Sequence, residues 1–395
     1  MAYLTLNEFK RRVENIRKLM KKESVDVFLV YGDEYRRENL RYVSNYWSIF
    51  DRGMLVIGLE GEPILLVAPE GENVAREMSI WKDIRLIPEV EPAYIPDKID
   101  YGLASYTSLA NVLFELSGKK KPKHIKICGI DAMPVVTYEA IRAVADSAKI
   151  GNGDDDIYRM RLIKSPAEVG LLKRVWEICD IGYKAILDAE IVGLTEIQAA
   201  AVGEKAARDA GAEHIVFSIL ASGERTNTVV GRPTEKVIRE GEMIMAALAV
   251  QYQGYIATNE WPFVAGGNPT EEQKKFISHI VIAEDIGVRN LRPGVVAGVV
   301  VRKIKDYFHE NGLEQYDIYP PIHGNGLAEA ESPYPDVHST YKFLPGMGIN
   351  FDVSLFKVPG IGSIRIEEGF IFSKEGIITL SRLISSLRKG LLAKL

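Results

Sequence analysis

PGMGINFDVSLFKVPGIGSIRIEEGFIF, residues 345–372, holds two apolar, β-branched runs on either side of Pro359-Gly360. Each run carries ionisable groups among its apolar residues. Asp352 stands between Phe351 and Val353, and Arg365 precedes Glu367 by two positions. Side chains of a strand alternate between its faces, so Arg365 and Glu367 share one face and Glu368 takes the other. The spacing predicts an Arg365–Glu367 ion pair and an exposed Glu368.

Working outward, the strand signals continue in IVFSILASG (215–223) and EMIMAALAVQYQGYIAT (242–258). Between them lie helix patterns. SPAEVGLLKRVWEICDIGYKAILDA (165–189) opens with Ser165 as N-cap, Pro166 at the first helical position and Glu168 to complete a capping box. Thr195 opens a second helix that Gly211 closes, and a third runs through 270–291. The arrangement predicted is an antiparallel sheet with covering helices, α+β in type. In the N-terminal half, Thr5-Leu6-Asn7-Glu8 has capping-box form ahead of Phe9, Val13, Ile16 and Met20 at helical spacing. VDVFLVYG (25–32) reads as a buried strand and MLVIGLEGEPILLVAP (54–69) as a β-hairpin, with helix and strand signals alternating to about residue 150 as in an α/β domain. The Gly- and Asp-rich segment 145–160 reads as the boundary, giving domains 1–155 and 156–395.

Composition narrows the class. A chain of 395 residues exceeds what one core usually serves, and 47% apolar with 26% charged residues is ordinary for a globular protein. A net charge of −5, without a basic stripe, argues against a nucleic-acid partner. No membrane segment or signal peptide is legible, and the expected compartment is the cytoplasm. Cys128 and Cys179 have neither disulfide-framework nor metal-type spacing.

Five segments in order resemble the creatinase/prolidase/methionine-aminopeptidase superfamily, the pita-bread fold. RLIKSPAEV (161–169) is similar to the segment that opens its C-terminal domain. GEMIMAALAVQYQGY (241–255) is similar to the strand pair bearing its first metal aspartate. HGNGL (323–327), PGMGINFD (345–352) and RIEEG (365–369) resemble its H-G-x-G-L turn, its P-G-M strand and its closing R-x-E-D strand. The first half resembles the N-terminal domain of creatinase and prolidase. There RENLRYVSNYWSIFDRG (37–53), with Tyr42, Trp47 and Phe50, is similar to a segment that reaches a partner's active site in dimeric members, which implies a homodimer.

Hydrolases of this family hold two metal ions on two Asp, one His and two Glu. By resemblance the two Asp positions fall on Ala247 and Thr258, the His on His323, and the two Glu on Asp352 and Glu367. A family histidine falls near Val230, and the second histidine of the turn on Ala330, with Glu331 retained. A methyl group and a neutral hydroxyl cannot replace bridging carboxylates, so no cofactor is expected. If a single divalent metal binds, the resemblance places it on His323, Asp352 and Glu367. GYIATNEW (254–261) resembles the metal-free creatinase segment, and Glu260 falls on that enzyme's substrate-binding Glu. The resemblance implies metal-independent hydrolysis of a C–N bond in a small polar or cationic substrate or a short peptide. His323, Asp352 and Glu367 would be the catalytic residues, and Glu260, Trp261 and Arg365 the substrate-binding ones. A divergent Xaa-Pro peptidase with at most one metal and a non-catalytic binding module are the alternatives.

Overall fold

The computed structural model describes residues 4–91 and 105–395, so part of the alternating N-terminal pattern, 92–104, lies outside the described residues. The chain divides into two units, Leu4–Arg161 and Leu162–Leu395. The break anticipated at 155/156 is spanned by a helix, Asp154–Leu162. Asp154, Asp155 and Asp156, which resemble a polar linker in sequence, form its first turn, where negative charge suits the positive end of the helix dipole, and Asp154 and Asp156 accept from Gly129 N and Lys126 Nζ.

Among the described residues, six strands build the N-terminal sheet: β1 (Val27–Gly32), β2 (Gly53–Gly58), β3 (Ile64–Val67), β4 (Ile84–Leu86), β5 (His124–Cys128) and β6 (Lys149–Asn152). Their order is β4-β3-β2-β1-β5-β6. The hairpin β2–β3 and the pair β1–β2 are antiparallel, and β1–β5 and β5–β6 are parallel. Val27, Leu29, Met54, Val56, Ile125 and Ile127 meet in its core. One local expectation fails in this unit. Thr5 sits at the N-cap of helix Leu6–Glu23, but its side chain makes no cap bond. Glu8 turns instead to Arg11 at 2.6 Å and Arg12 at 3.3 Å, and these charged partners outcompete a neutral cap.

Eight strands form the C-terminal sheet: β7 (His214–Ser222), β8 (Met243–Tyr252), β9 (Tyr255–Glu260), β10 (Phe263–Val264), β11 (Ile322–Gly324), β12 (Gly348–Val358), β13 (Gly362–Phe372) and β14 (Ile377–Thr379). The main path runs β10-β8-β9-β13-β12-β11, with β7 on β8 and β14 on β13, and the pairing is antiparallel throughout. The capping box foreseen at Ser165 is present, and Thr195, foreseen as a helix start, forms a second one with Gln198. Helix Pro166–Asp188 lies on β8 and β9, and helix Glu271–Asn290 on β12 and β13. Trp176 packs so closely on β13 that any Cβ at Gly369 would collide with its ring, which explains the glycine ending RIEEG. The same helices correct the expectation for Glu368. It is fully buried, 2.8 Å from Arg388 of the C-terminal helix, beside buried Glu284. A central strand covered on one face by helices has no solvent side for the alternate residue to reach. No described helix is long and apolar enough to cross a membrane.

Candidate active site

Antiparallel register carries the site. Ala247 pairs with Glu260, Glu260 with Glu367, and Glu367 with Asp352, so one line crosses β8, β9, β13 and β12. Residues opposite one another in such a ladder project from the same face. Three carboxylates from three strands therefore stand side by side, and Ala247 ends the row with a methyl group.

His323 on β11 reaches the same cluster. Its Nδ1 donates to the Gly324 carbonyl at 2.9 Å, which turns Nε2 toward Glu367 Oε1 at 3.3 Å and Glu329 Oε1 at 4.0 Å. Thr258 donates its hydroxyl to Glu329 at 3.3 Å. Asn350 donates to Glu367 at 2.6 Å and is itself held by Asn325 at 2.7 Å. Arg365 grips Asp352 with two nitrogens, Nε to Oδ1 at 3.0 Å and Nη2 to Oδ2. The same Nε lies 3.1 Å from Glu260 Oε2, close enough for an ion pair but not aligned for a hydrogen bond, so that buried oxygen has no hydrogen-bond donor.

Burial and crowding set the charges. Desolvation drives the Glu260 pKa well up, against the pull of Arg365 and with the push of Asp352 and Glu367. Burial likewise raises Glu367 to about 7, with His323 opposing the rise. For His323 burial works against the charged form, yet the bond to Glu367 and the field of Glu329 outweigh it and lift the pKa to about 10. In the His323–Glu367 pair the proton therefore resides on the imidazole at neutral pH. Above the cluster opens a cavity of about 580 Å³, walled by Phe217, Ile219, Tyr319, Pro320 and Tyr334 among others.

Glu260, His323, Asp352 and Glu367 thus converge from four separate segments. Three expectations are corrected. Arg365 pairs with Asp352 and Glu260 rather than Glu367, because Asp352 sits across the adjacent strand within reach of the guanidinium fork. Trp261 does not line the cavity. It follows Glu260 by one residue, so strand alternation turns it away, and it lines a second cavity with Leu187 and Phe263, while its backbone N–H donates to the Tyr183 hydroxyl at 2.7 Å. The third concerns metal. Ligand atoms of His323, Glu329 and Glu367 lie within 4.8 Å of one another, whereas both Asp352 oxygens are taken by Arg365. One His with two carboxylates can hold a single divalent ion, and the Gly324 carbonyl orients the imidazole for it. A pair of ions does not fit: Ala247 has no donor atom, Thr258 is turned to Glu329, and Arg365 already neutralises Asp352.

Glu329 was passed over in the sequence, since neighbouring Ala330 and Glu331 occupied the recognised turn. The one signal is its place two residues after HGNGL, in AEAE (328–331). Glu331 proves structural, bonded at 3.0 Å to the buried Lys164 of the RLIKSP segment. In the other unit Tyr42 is buried, Trp47 lies under Arg37 with 4.4 Å to its ring centroid, and Phe50 is exposed.

Comparison with known proteins agrees with this architecture. Residues 170–374 match metallopeptidase family M24, and residues 12–163 match the creatinase/prolidase N-terminal domain. An Xaa-Pro dipeptidase of Pyrococcus horikoshii is 28% identical over 306 residues, covering 76% of this chain and 86% of its own length. An uncharacterised peptidase of Bacillus subtilis is 27% identical over 252 residues, 64% of this chain and 71% of its own. Among solved structures, the prolidase of P. horikoshii superposes with a TM-score of 0.80 at 24% identity, over 94% of this chain and 98% of that one. An X-Pro aminopeptidase of Thermotoga maritima gives a TM-score of 0.80 at 22% identity, over 94% and 97%.

Proposed function

The chain belongs to metallopeptidase family M24, and on that premise we propose that it hydrolyses a C–N bond in a small polar substrate or short peptide without the family's pair of metal ions. The observation that carries this reading is the row Ala247–Glu260–Glu367–Asp352 with the Arg365 guanidinium bridging two of its carboxylates. Arg365 supplies as an internal cation part of the positive charge that metal ions would bring. It also takes up the carboxylate of Glu260 that the sequence reading reserved for a cationic substrate. The carboxylate left facing the cavity is Glu329, a quarter exposed.

The chemistry follows from which groups carry protons. Water adds to the amide carbonyl as Glu329 removes its proton. The C–N bond then breaks as the His323 imidazolium gives its proton to the leaving nitrogen. Glu329 returns the proton to His323, and Glu367 and Asn350 hold the ring in place meanwhile. Glu260, Asp352 and Arg365 form a fixed electrostatic floor.

A second reading, one divalent ion on His323, Glu329 and Glu367, is favoured by the convergence of those three ligand atoms. When bound, such an ion would polarise a carbonyl and acidify water. Elemental analysis of protein prepared without chelator and loaded with Mn, Co or Zn decides between them, run beside a hydrolysis screen of dipeptides and guanidino acids. The expected result is hydrolysis with fewer than two tight ions per chain. None, with chelator-insensitive turnover, supports the first reading, and one, with chelator-sensitive turnover, the second. Two stoichiometric ions coupled to dipeptide cleavage overturn both.

A further inference from the structure

Arg232 enters the cavity wall from the segment between β7 and β8, opposite in charge to the acidic floor. Three cations line the cavity. Arg365 is engaged by Asp352 and Glu260, and His323 by Glu367, but the exposed Arg232 guanidinium makes no hydrogen bond or ion pair among the described residues.

This segment is built to hold its shape. Glu196, fully buried, accepts from Ser222 N and Oγ at 2.9 Å each, from Arg225 Nε at 3.0 Å, and from Thr234 N and Oγ1 at 3.1 and 2.7 Å. Arg225 in turn donates to the Arg232 carbonyl at 2.8 Å. Lys236 ties the far end to Glu242 at 2.7 Å. A buried carboxylate saturated in this way fixes the backbone on either side of Arg232 while leaving its side chain unpaired. The wall beside it is apolar, with Phe217, Ile219 and Val230.

We propose that Arg232 is a specificity-determining residue that binds a carboxylate of the substrate. The cavity is then bipolar, selecting a molecule with an amine or amide near Glu329 and a single carboxylate at Arg232, such as a free dipeptide. A planar guanidinium matches a carboxylate with two parallel hydrogen bonds. A dianion is disfavoured, because one arginine leaves it under-neutralised beside Glu260, Glu329, Asp352 and Glu367. About 580 Å³ is of a size to enclose such a ligand. Only the assignment of the reacting end rests on the hydrolase reading, since the carboxylate preference is a property of binding.

Isothermal titration of alanyl-proline and its C-terminal amide tests this in wild type, Arg232→Gln and Arg232→Lys. The titrations are repeated on a His323→Ala background so that turnover cannot consume the ligand. Wild type should bind the free acid roughly ten- to a hundredfold more tightly than the amide, the usual worth of one charged hydrogen-bond pair. Arg232→Gln should erase that preference and Arg232→Lys restore part of it. An acid-to-amide ratio unchanged by Arg232→Gln, equal affinity for the two in wild type, or no saturable binding of either would overturn the proposal. Acid preference without hydrolysis sinks the hydrolase reading alone, and hydrolysis of acid and amide alike sinks only the role of Arg232.

Discussion

Arg365 and His323 decide the charge of the site, residue by residue. Among the charged groups of the cluster they are the two cations set against Glu260, Asp352, Glu367 and Glu329. Carboxylates this close do not all remain ionised when buried, so each cation is tied to a particular anion. The arginine is committed to Asp352 and Glu260, which leaves His323 as the group able to exchange a proton with a substrate. Replacing it with alanine should lower turnover about 10²–10⁴-fold, the usual range for a lost general acid. Far-UV circular dichroism should be unchanged, because Glu367, with its pKa near 7 and an amide bond from Asn350, can take up the compensating proton. Hydrolysis at the wild-type rate by the alanine variant would remove His323 from the mechanism.

At the scale of the element, β13 serves two masters. One face presents Arg365 to the cavity and sets Glu367 against His323, and the other presents Glu368 to the helices. Behind it Glu284 is buried among Glu368, Arg388 and Asp285, and burial first, then the charge of Glu368, drives its pKa well above the ordinary value. Both of its oxygens lack an aligned hydrogen-bond donor, although Glu368 is near enough to perturb it. The folded state therefore keeps a proton that the unfolded chain releases near its normal carboxyl pKa, about 4.3. That contribution to stability is fully present below this value and is lost as the pH rises, by about 1.4 kcal/mol per pH unit for each proton retained. Glu284→Gln cannot ionise, so its stability relative to wild type should rise between pH 5 and pH 8 by at least about 1–2 kcal/mol. Urea unfolding at the two pH values measures this. Parallel pH profiles for variant and wild type would show that Glu284 ionises freely in the fold.

For the whole molecule, the resemblance of residues 37–53 to a segment of dimeric relatives motivates a homodimer, and Ile49 is exposed in that segment. Light scattering at micromolar concentration should return twice the chain mass of 44.0 kDa, and a monomeric mass would refute it. Much of the fold was legible because its determinants are local. The apolar runs within 215–258 and 345–372 set the strands, and Ser165 with Glu168 and Thr195 with Gln198 set two helix starts through bonds reaching three residues. Ordered motifs placed His323, Asp352, Glu367 and Glu260 in one site, since antiparallel register turns sequence position into lateral position. Partner choice was not legible. Whether Arg365 reaches Glu367 on its own strand or Asp352 on the next depends on a cross-strand distance of a few ångströms. Glu329 enters only through the path of the loop after β11, and Glu368 is hidden by a helix that closes on the sheet from the far end of the chain. Sequence alone determined which residues share a strand face. Tertiary structure decided which charges meet, because Coulomb and desolvation energies follow separations and burial that arise only when distant segments pack.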